Sequence, residues 1–183
     1  MNIRIIGGKF GGRKLDASSG DRTHPMSERV RNALFNSIGE EIRNATVLDA
    51  FAGTGAIGLE ALSRGASHVT FIEKDRIAQK ILAKNVNTIG VDNTTSIINT
   101  SVSNWISTYN GGGFDIIFAD PPYHDPQFST VEKLFGLLKP GGLMILSHPG
   151  RGEEPTKNGV VVVANREYGN AFLTFYRRGN AES

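Results

Sequence analysis

The sequence predicts an α/β protein with one mostly parallel β-sheet, and three observations support this. Between residues 46 and 138, short apolar runs alternate with segments of helical period, which is the βαβ pattern. The apolar runs are rich in β-branched residues, as in DIIFA, and such runs suit strands that are buried on both faces of a sheet. Beyond residue 142 the helical period disappears, so an antiparallel hairpin is expected to close the sheet.

A small β-arm and a helix are expected to precede this sheet. Residues 3 to 15 contain two Gly-Gly pairs beside basic side chains, which predicts a glycine-rich hairpin or an extended arm. From Ser27 the apolar residues follow a helical period, with Ser27 as the N-cap and Gly39 as the stop. We therefore divide the chain into a basic arm at 1–25 and an α/β domain at 26–183, which includes this first helix.

The predicted elements of the α/β domain alternate in a regular order. They are the strand TVLDAF, the helix AIGLEALSRG, the strand HVTFIE, the helix RIAQKILAKNVNTIG, the strand SIIN, the helix VSNWISTY, the strand FDIIFAD and the helix FSTVEKLFGLL, which Lys139-Pro140-Gly141-Gly142 is expected to close. The remaining strands are GLMILSH, GVVVVANREY and AFLTFYRR. The sheet is therefore expected to have seven strands, with an antiparallel C-terminal hairpin.

Size and composition exclude several classes of protein. A chain of 183 residues fits one domain and can bury a sizeable core. Because cysteine is absent, neither disulfides nor thiolate zinc sites are possible. The segment MNIRIIGGKF lacks the apolar stretch of a signal peptide, and no later segment offers the ~18 apolar residues of a membrane span. We therefore expect a cytoplasmic protein without a membrane partner.

Positive charge is concentrated at the start of the chain. The formal net charge is +2, but residues 1 to 31 hold seven basic residues against three acidic ones. A basic segment of this kind attracts phosphates with salt-dependent affinity, although a solvated tail would have the same composition. The candidate RNA contacts in this segment are Arg4, Lys9, Arg13, Lys14, Arg29 and Arg31.

A glycine-rich segment between the first sheet strand and its helix predicts a cofactor site. Residues 49 to 58 read DAFAGTGAIG and satisfy G-x-G-x-x-G, whose glycines let a ligand approach the backbone closely. The next strand ends at Glu73, 18 residues beyond Gly55, where a carboxylate can accept hydrogen bonds from two ribose hydroxyls. These features alone would also fit a dinucleotide site, or a turn that is shaped only by tight packing.

Asp49 favours S-adenosylmethionine over a dinucleotide as the cofactor. A carboxylate at the start of the glycine turn would repel a pyrophosphate lying over the helix N-terminus. It suits instead the cationic amino-acid end of S-adenosylmethionine. We expect no metal, because methyl transfer from a sulfonium needs none and the four histidines are scattered along the chain.

The tetrapeptide Asp120-Pro121-Pro122-Tyr123 follows the fourth sheet strand, at the edge where open α/β sheets bind ligands. Consecutive prolines fix two φ angles and lack N–H groups, so the loop carbonyls are expected to point outward and to stay out of turn hydrogen bonds. The Asp120 carboxylate and the Pro121 carbonyl would accept from both N–H bonds of a base amine and hold it in line with the methyl. Asp120 would take the released proton, and Tyr123 would stack on the flipped base. The tetrapeptide therefore predicts methylation of a nucleobase amine, whereas without the cofactor motif a rigid turn would explain it equally well.

Several segments together resemble the RsmD-type methyltransferases, which modify the N2 amine of guanine in small-subunit ribosomal RNA. The similar segments are RIIGGKFGGRKL, ERVRNALFN, LDAFAGTGAIGLEALSRGA, FIEKD, FDIIFADPPY and REYGNAFLTFYRR. They span nearly the whole chain, and the arm and first helix discriminate better than the cofactor turn, which many methyltransferases share. The resemblance implies a class I S-adenosylmethionine-dependent methyltransferase fold, which is Rossmann-like, and an arm that helps to hold RNA.

The same resemblance implies roles for individual residues and a substrate. At the methionine side of the cofactor we expect Asp49, Gly53 and Gly55, and at its ribose we expect Glu73. At the target base we expect Asp120 to Tyr123. Further positions expected to touch the cofactor are Phe51, Ala52, Lys74, Asp75, Thr100 and Ser101. The implied target is guanine 966, in free small-subunit RNA or in the assembling 30S particle, and we expect a monomer.

Two positions depart from the family pattern. His24-Pro25 stands where the family usually has Arg-Pro, so His24 becomes the candidate for a phosphate contact at that position. Ser101 stands where methyltransferases often carry an acidic or amide residue that meets the adenine amine. Adenine recognition would then fall to the Ser101 hydroxyl or to the main chain.

Three alternatives stay open. An adenine-N6 DNA methyltransferase would use the same tetrapeptide, although an arm of about 25 residues is small for reading duplex sequence. A non-catalytic RNA-binding assembly factor would keep the fold without cofactor chemistry, and a nicotinamide oxidoreductase would share the glycine pattern. Nucleoside analysis of the product distinguishes the DNA methyltransferase, which would form N6-methyladenine, from an enzyme that forms N2-methylguanine. Calorimetry with S-adenosylhomocysteine distinguishes the non-catalytic factor, which would not bind this ligand.

Overall fold

Strands and helices alternate along most of the chain in the computed structural model, which describes residues 2–18, 26–150 and 154–180. Within these ranges the strands are β1 (Asn2–Arg4), β2 (Lys14–Asp16), β3 (Thr46–Asp49), β4 (His68–Ile72), β5 (Thr95–Ile98), β6 (Phe114–Ala119), β7 (Leu138–His148), β8 (Val160–Tyr168) and β9 (Ala171–Arg178). The α-helices are α1 (Glu28–Ile38), α2 (Ala56–Ser63), α3 (Arg76–Ile89), α4 (Val102–Thr108) and α5 (Phe128–Leu134), and short 3₁₀ turns lie at Gly39–Ile42, Asp92–Thr94 and Phe135–Leu137.

Seven strands form one sheet in the order β5-β4-β3-β6-β7-β9-β8, and β1 and β2 form a separate antiparallel pair. The pairs β5–β4, β4–β3, β3–β6 and β6–β7 are parallel. β9 is antiparallel to both β7 and β8. The predicted seven-stranded, mostly parallel sheet with an antiparallel C-terminal hairpin is therefore confirmed.

β7 begins earlier than the sequence predicts. Residues 139–142 lie inside β7, so the predicted start of this strand at Gly142 is wrong, although the preceding helix does end before Lys139 as expected. Phe114 of β6 pairs with Leu138 of β7, and Ile116 pairs with Leu143. One residue of β6 therefore lies opposite four residues of β7, and residues 139–142 bulge out of the ladder. A bulge tolerates proline and glycine within a strand, which is why their turn-like composition is misleading here.

The helix boundaries follow from residues that suit helix ends. Ser27 caps α1 by accepting a hydrogen bond from the Val30 amide at 3.2 Å, and the helix ends at Gly39. Asp75 caps α3 by accepting from the Ala78 amide at 2.9 Å. The predicted roles of Ser27 and Gly39 are thus confirmed. Across the described residues, no helix combines the length and the apolar character that crossing a membrane requires.

Helices cover both faces of the sheet. α1, α2 and α3 pack on one face in a core that includes Leu34 and Leu82. α4 and α5 pack on the other face around Trp105. Neighbouring residues of β6 alternate between the two cores, since Ile116 belongs to the first and Ile117 to the second. Burial on both faces explains why DIIFA is continuously apolar.

The described part of the arm, residues 2–18, is packed onto the α/β domain. Ile5 and Leu15 are buried and belong to the same core as α1, α2 and α3. The buried Asn85 side chain of α3 accepts from the Asp16 amide and donates to the carbonyls of Asp16 and Thr54, each at 2.9 Å. The arm is therefore tied both to α3 and to the turn after β3, while the boundary predicted at residue 25 lies outside the described residues.

Gly58, the third glycine of the G-x-G-x-x-G pattern, allows α2 to approach β4 closely. A Cβ at this position would lie 2.2 Å from the Phe71 Cε1 atom. We predict that Gly58→Ala lowers the free energy of unfolding by about 1–3 kcal/mol, as measured by urea denaturation. Gly112→Ala, whose Cβ would meet no atom within 4 Å, is the control. Equal effects of the two substitutions would contradict the packing role.

Candidate active site

The carboxyl ends of β3, β4, β6 and β7 meet at one edge of the sheet, and the loops that follow them form the candidate site. The turn after β3 is held between the neighbouring strands. The Ala50 amide donates to the Phe118 carbonyl at 3.0 Å, and the Ala52 amide donates to the Ile72 carbonyl at 2.9 Å. This is the edge at which open parallel sheets bind their ligands.

Two glycines in this turn adopt the left-handed conformation, with φ of 57° at Gly53 and 95° at Gly55. A Cβ at Gly55 would lie 2.6 Å from the Leu82 Cδ1 atom, so packing also excludes a side chain there. A Cβ at Gly53 would meet no atom within 4 Å. Gly55 therefore serves the packing of α2, whereas Gly53 leaves space in which a ligand can approach the backbone.

Asp49 lies at the base of the turn and is almost fully buried. Its Oδ2 atom accepts a hydrogen bond from the Gly58 amide at 3.0 Å. Its Oδ1 atom is buried and has no hydrogen-bond partner within the described parts of the chain. Burial raises the pKa of Asp49 to about 7, although the hydrogen bond from the Gly58 amide lowers it. The nearby carboxyl groups of Asp120 and Glu73 raise this pKa further.

Glu73 directly follows β4 and joins the glycine turn to the start of α3. Its Oε1 atom accepts from the Gly53 amide and its Oε2 atom from the Asp75 amide, both at 2.7 Å. Burial raises the pKa of Glu73, and the two amide hydrogen bonds oppose that rise. Each carboxylate oxygen has a second lone pair, so Glu73 can still accept hydrogen bonds from a ligand.

The other residues predicted at the cofactor follow the ends of β3, β4 and β5, and their environments differ. Phe51 is partly buried against the core around α4 and α5, Ala52 is buried, and Lys74 is exposed. Ser101 caps α4, where its hydroxyl accepts from the Asn104 amide at 3.2 Å. The same hydroxyl lies 3.3 Å from the Ser103 hydroxyl, and because capping uses only one lone pair it can still donate its proton. The Thr100 hydroxyl lies 3.5 Å from the side-chain nitrogen of Asn104.

Asp120 and Tyr123 are both connected to Ser147 on the adjacent strand. Ala119 pairs with Leu146 in the parallel ladder, so the following residues, Asp120 and Ser147, are also neighbours. The buried Ser147 hydroxyl lies 3.0 Å from the Tyr123 hydroxyl. Burial raises the pKa of Asp120 to about 6, and a hydrogen bond with Ser147 limits the rise. Tyr123 is 40% exposed, so part of its ring is accessible while its hydroxyl is held.

The loop carbonyls differ from the expectation in one respect. Pro122 accepts a hydrogen bond on its carbonyl from the Asp125 amide at 2.9 Å. The prediction that the carbonyls of both prolines stay out of turn hydrogen bonds is therefore wrong for Pro122. The chain reverses after the second proline, and that reversal uses the Pro122 carbonyl as the acceptor of a β-turn.

The sequence does not single out Ser147 as a site residue. The residue lies at the end of a predicted strand, directly after GLMIL, which is a weak signal that a polar side chain reaches the carboxyl edge. Only the strand order shows that this edge adjoins Asp120. His148, by contrast, is hydrogen-bonded within the protein, since its Nε2 atom lies 2.9 Å from the Thr174 hydroxyl.

The site brings three carboxyl groups together, from Asp49, Glu73 and Asp120. The pKa of each is raised, chiefly by burial. Among the described residues, no group of His, Asp and Glu side chains is arranged to hold a metal ion. Buried carboxylates that repel one another favour a ligand with positive charge, and a strongly perturbed pKa in such a place is typical of a functional site.

The basic residues predicted to contact RNA lie mainly on the arm. Arg4, Lys9, Arg13 and Lys14 are exposed there, as is Arg29 on α1. Arg4 forms an exposed ion pair of 2.6 Å with Glu28. Arg13 donates from Nη2 to the Thr88 carbonyl at 3.1 Å. His24 lies outside the described residues.

Arg31 is the exception, and its predicted contact with RNA is wrong. Its side chain is 1% exposed and its Nε atom lies 3.4 Å from the Oε1 atom of Glu60. It also donates to the backbone carbonyl of Arg4. An arginine on a helix is expected in solvent by default, but here the facing carboxylate of Glu60 is itself fully buried and pairs with it.

The strand order distinguishes this protein from a nicotinamide-binding domain. β9 lies between β7 and β8 and runs antiparallel to both, an arrangement that is unusual for nicotinamide-binding domains. Together with the turn after β3, this defines a class I S-adenosylmethionine-dependent methyltransferase fold.

Comparison with known proteins identifies the family. A family model described as Conserved hypothetical protein 95 matches residues 3–177. Ribosomal RNA small subunit methyltransferase D of Escherichia coli is 39% identical over 140 residues, which are 76% of this chain and 68% of that protein. The chain therefore belongs to the RsmD-type methyltransferase family.

Solved structures share the fold of this chain. A putative methyltransferase from Escherichia coli, yhhF, superposes with a TM-score of 0.88 at 32% identity and covers 98% of this chain and 99% of its own. SMU.776, a putative methyltransferase crystallised with S-adenosylhomocysteine, shares the fold with a TM-score of 0.68 at 16% identity, over 81% of this chain and 48% of its own.

The environment of Asp120 leads to a prediction for the free protein. Titration followed by carboxyl-carbon NMR is expected to show midpoints at pH about 6 for Asp120 and about 7 for Asp49. Ser147→Ala removes the hydrogen bond that limits the pKa of Asp120, so this midpoint rises further. Ser37→Ala, at an exposed position on α1, is the control and leaves both midpoints unchanged. A midpoint of Asp120 near the ordinary value of 3.8 would contradict the burial described above.

Proposed function

We propose that this protein transfers a methyl group from S-adenosylmethionine to the exocyclic N2 amine of a guanine in small-subunit ribosomal RNA, at the position corresponding to guanine 966. The observation that carries the proposal is the placement of Asp120 and Tyr123, both connected to Ser147, beside the carboxylates of Asp49 and Glu73. The name of the related Escherichia coli protein, a small-subunit ribosomal RNA methyltransferase, supports the choice of RNA.

S-adenosylmethionine is the methyl donor, and the residues of the turn suit it. The unpartnered Oδ1 atom of Asp49 can accept a hydrogen bond from the cationic amino group, and the carboxylate of Glu73 can accept from the ribose hydroxyls. The open space at Gly53 lets the donor approach the backbone. When bound, the donor supplies a methyl group activated by the positively charged sulfur.

Asp120 and the Pro121 carbonyl would position the amine of the target base. The lone pair of an aromatic amine is delocalised into the ring, so the amine is a poor nucleophile. Two acceptors for its N–H bonds favour electron density at nitrogen and orient it for attack, and orientation is a large part of the available rate. Asp120 acts in its ionised form, in which it can accept the proton that the amine loses.

Tyr123 would hold the base itself. Its exposed ring offers a face for stacking, and the hydrogen bond between its hydroxyl and Ser147 restricts the orientation of the ring. A base must leave its stack to reach such a site, and unpaired nucleotides of RNA loops do so at a lower cost than bases of a duplex.

The direct test uses purified protein and labelled S-adenosylmethionine, with small-subunit RNA and its assembling particle as alternative substrates. Nucleoside analysis of the labelled product is expected to show N2-methylguanine. Detection of N6-methyladenine, or labelling of DNA in place of RNA, would show that the tetrapeptide serves another substrate.

Asp120→Ala is expected to remove the acceptor for the amine while leaving the cofactor turn intact. We predict that kcat falls at least about 100-fold, with little change in the affinity for S-adenosylhomocysteine. Asp125→Ala is the matched control, because Asp125 is an exposed carboxylate on the same loop. Single-turnover methylation and calorimetry give the two readouts, and an active Asp120→Ala protein would show that the amine is positioned in another way.

The basic side chains of the arm are expected to bind RNA phosphates. Replacement of Arg4, Lys9, Arg13 and Lys14 by glutamine should weaken RNA binding and reduce the slope of log Kd against log salt by about 0.7 for each single-strand phosphate that is no longer neutralised. The affinity for S-adenosylhomocysteine should not change. Replacement of Lys133, Lys139 and Lys157, which lie around α5 and the start of β7 and β8, is the control. An unchanged RNA affinity in the arm variant would mean that the arm is only a solvated surface.

A further inference from the structure

The loop between β1 and β2, residues 5–13, is docked on the C-terminal half of α2, and we call it the docking loop. Glu60 of α2 is fully buried. Its two carboxylate oxygens accept from the amides of Ile6 at 2.9 Å and Gly7 at 3.0 Å. A buried carboxylate thus serves as the receptor for two consecutive backbone N–H groups of the docking loop.

Two arginines compensate the charge of Glu60. Arg64 donates from Nε to Oε2 of Glu60 at 2.8 Å, and Arg31 of α1 approaches the other oxygen. Arg64 also donates to the side chain of Asn32 on α1 at 3.1 Å. Because a buried carboxylate is stable only when it is paired and fully hydrogen-bonded, the docking loop, α1 and α2 complete one polar network.

Ser63, one helical turn further along α2, forms the second part of the contact. Its hydroxyl donates to the Gly7 carbonyl at 2.5 Å and accepts from the Phe10 amide at 2.8 Å. Its carbonyl accepts from the Lys9 amide at 2.7 Å. The backbone on both sides of Lys9 is therefore held, while the Lys9 side chain remains exposed.

Gly8 permits this close approach. Its φ is +77°, and a Cβ there would lie 2.0 Å from the Ser63 carbonyl oxygen. Gly12 of the same loop also has a positive φ, +88°, but a Cβ there would meet no atom within 4 Å. The two glycines therefore share the same backbone constraint, and only Gly8 is needed for contact with α2.

We infer that Glu60 is a positioning residue for RNA binding, which acts by fixing the docking loop so that Lys9 and Arg13 meet phosphates from defined positions. The inference rests on the proposed function. A solvated basic tail would need no buried carboxylate to hold it. A loop whose backbone is already held before RNA arrives avoids the cost of ordering that backbone on binding, and fixed phosphate contacts set the register of the RNA.

The first test compares Glu60→Gln with the wild-type protein in steady-state methylation of small-subunit RNA. An amide keeps the shape of the side chain but removes the charge that balances Arg31 and Arg64. The KM for RNA is expected to rise about tenfold or more, with kcat and the affinity for S-adenosylhomocysteine within about twofold of wild type. A fall in kcat with unchanged KM would contradict a role in RNA binding.

The second test leaves Glu60 in place and compares Gly8→Ala with Gly12→Ala. Both variants carry alanine at a positive φ, but only Gly8→Ala forces the docking loop away from Ser63. Gly8→Ala should bind the substrate RNA about tenfold more weakly, with a smaller decrease for an unrelated RNA of the same length, because the charges remain but their positions are no longer fixed. Gly12→Ala should stay within about twofold of wild type.

The outcomes distinguish the inference from the proposed function. Equal RNA affinity of the two glycine variants, with wild-type protein that binds and methylates RNA, would overturn the role of the docked loop alone. Wild-type protein that fails to bind small-subunit RNA would overturn the proposed substrate, and with it this inference. If Glu60→Gln does not fold, the comparison of Gly8→Ala with Gly12→Ala still decides whether docking of the loop on α2 contributes to RNA binding.

Discussion

The parallel pairing of β3 with β4 on one side and with β6 on the other is the constraint on which the site depends. The register places Asp49 beside Phe71 of β4 and Phe118 of β6, so the three strands end at the same edge of the sheet. Glu73 and Asp120 follow the ends of β4 and β6, and β7 adds Ser147 through its own parallel register with β6. Residues that are far apart along the chain thus meet because backbone hydrogen bonds align the strands.

This arrangement has an electrostatic cost in the free protein. The carboxyl groups of Asp49 and Asp120 keep their protons in the folded state up to pH about 7 and about 6, whereas their ordinary pKa is 3.8. The folded protein therefore binds more protons than the unfolded chain in this window, and stability falls as the pH rises through it. A cationic ligand would offset that cost, so the carboxylates that destabilise the free protein would favour a cation such as S-adenosylmethionine. Destabilising groups of this kind concentrate at functional sites.

Much of the fold could be predicted because its signals are local. The alternation of apolar runs with helical segments, the cap at Ser27 and the glycine turn after Asp49 depend on neighbouring residues. The features that the sequence does not reveal depend on segments that are distant along the chain. Arg31 is buried because Glu60 lies opposite it, and Ser147 contacts the tetrapeptide because β7 pairs with β6. The bulge at residues 139–142 likewise reflects the register between two strands, which composition does not reveal.

The carboxylate edge of the sheet is the proposed cofactor site, and calorimetric titration with S-adenosylhomocysteine tests that assignment most directly. We expect saturable binding of one molecule per chain, which Asp49→Asn weakens because the buried, unpartnered oxygen proposed to accept from the amino group is no longer charged. Absence of binding to the wild-type protein, or binding that Asp49→Asn leaves unchanged, would contradict the account.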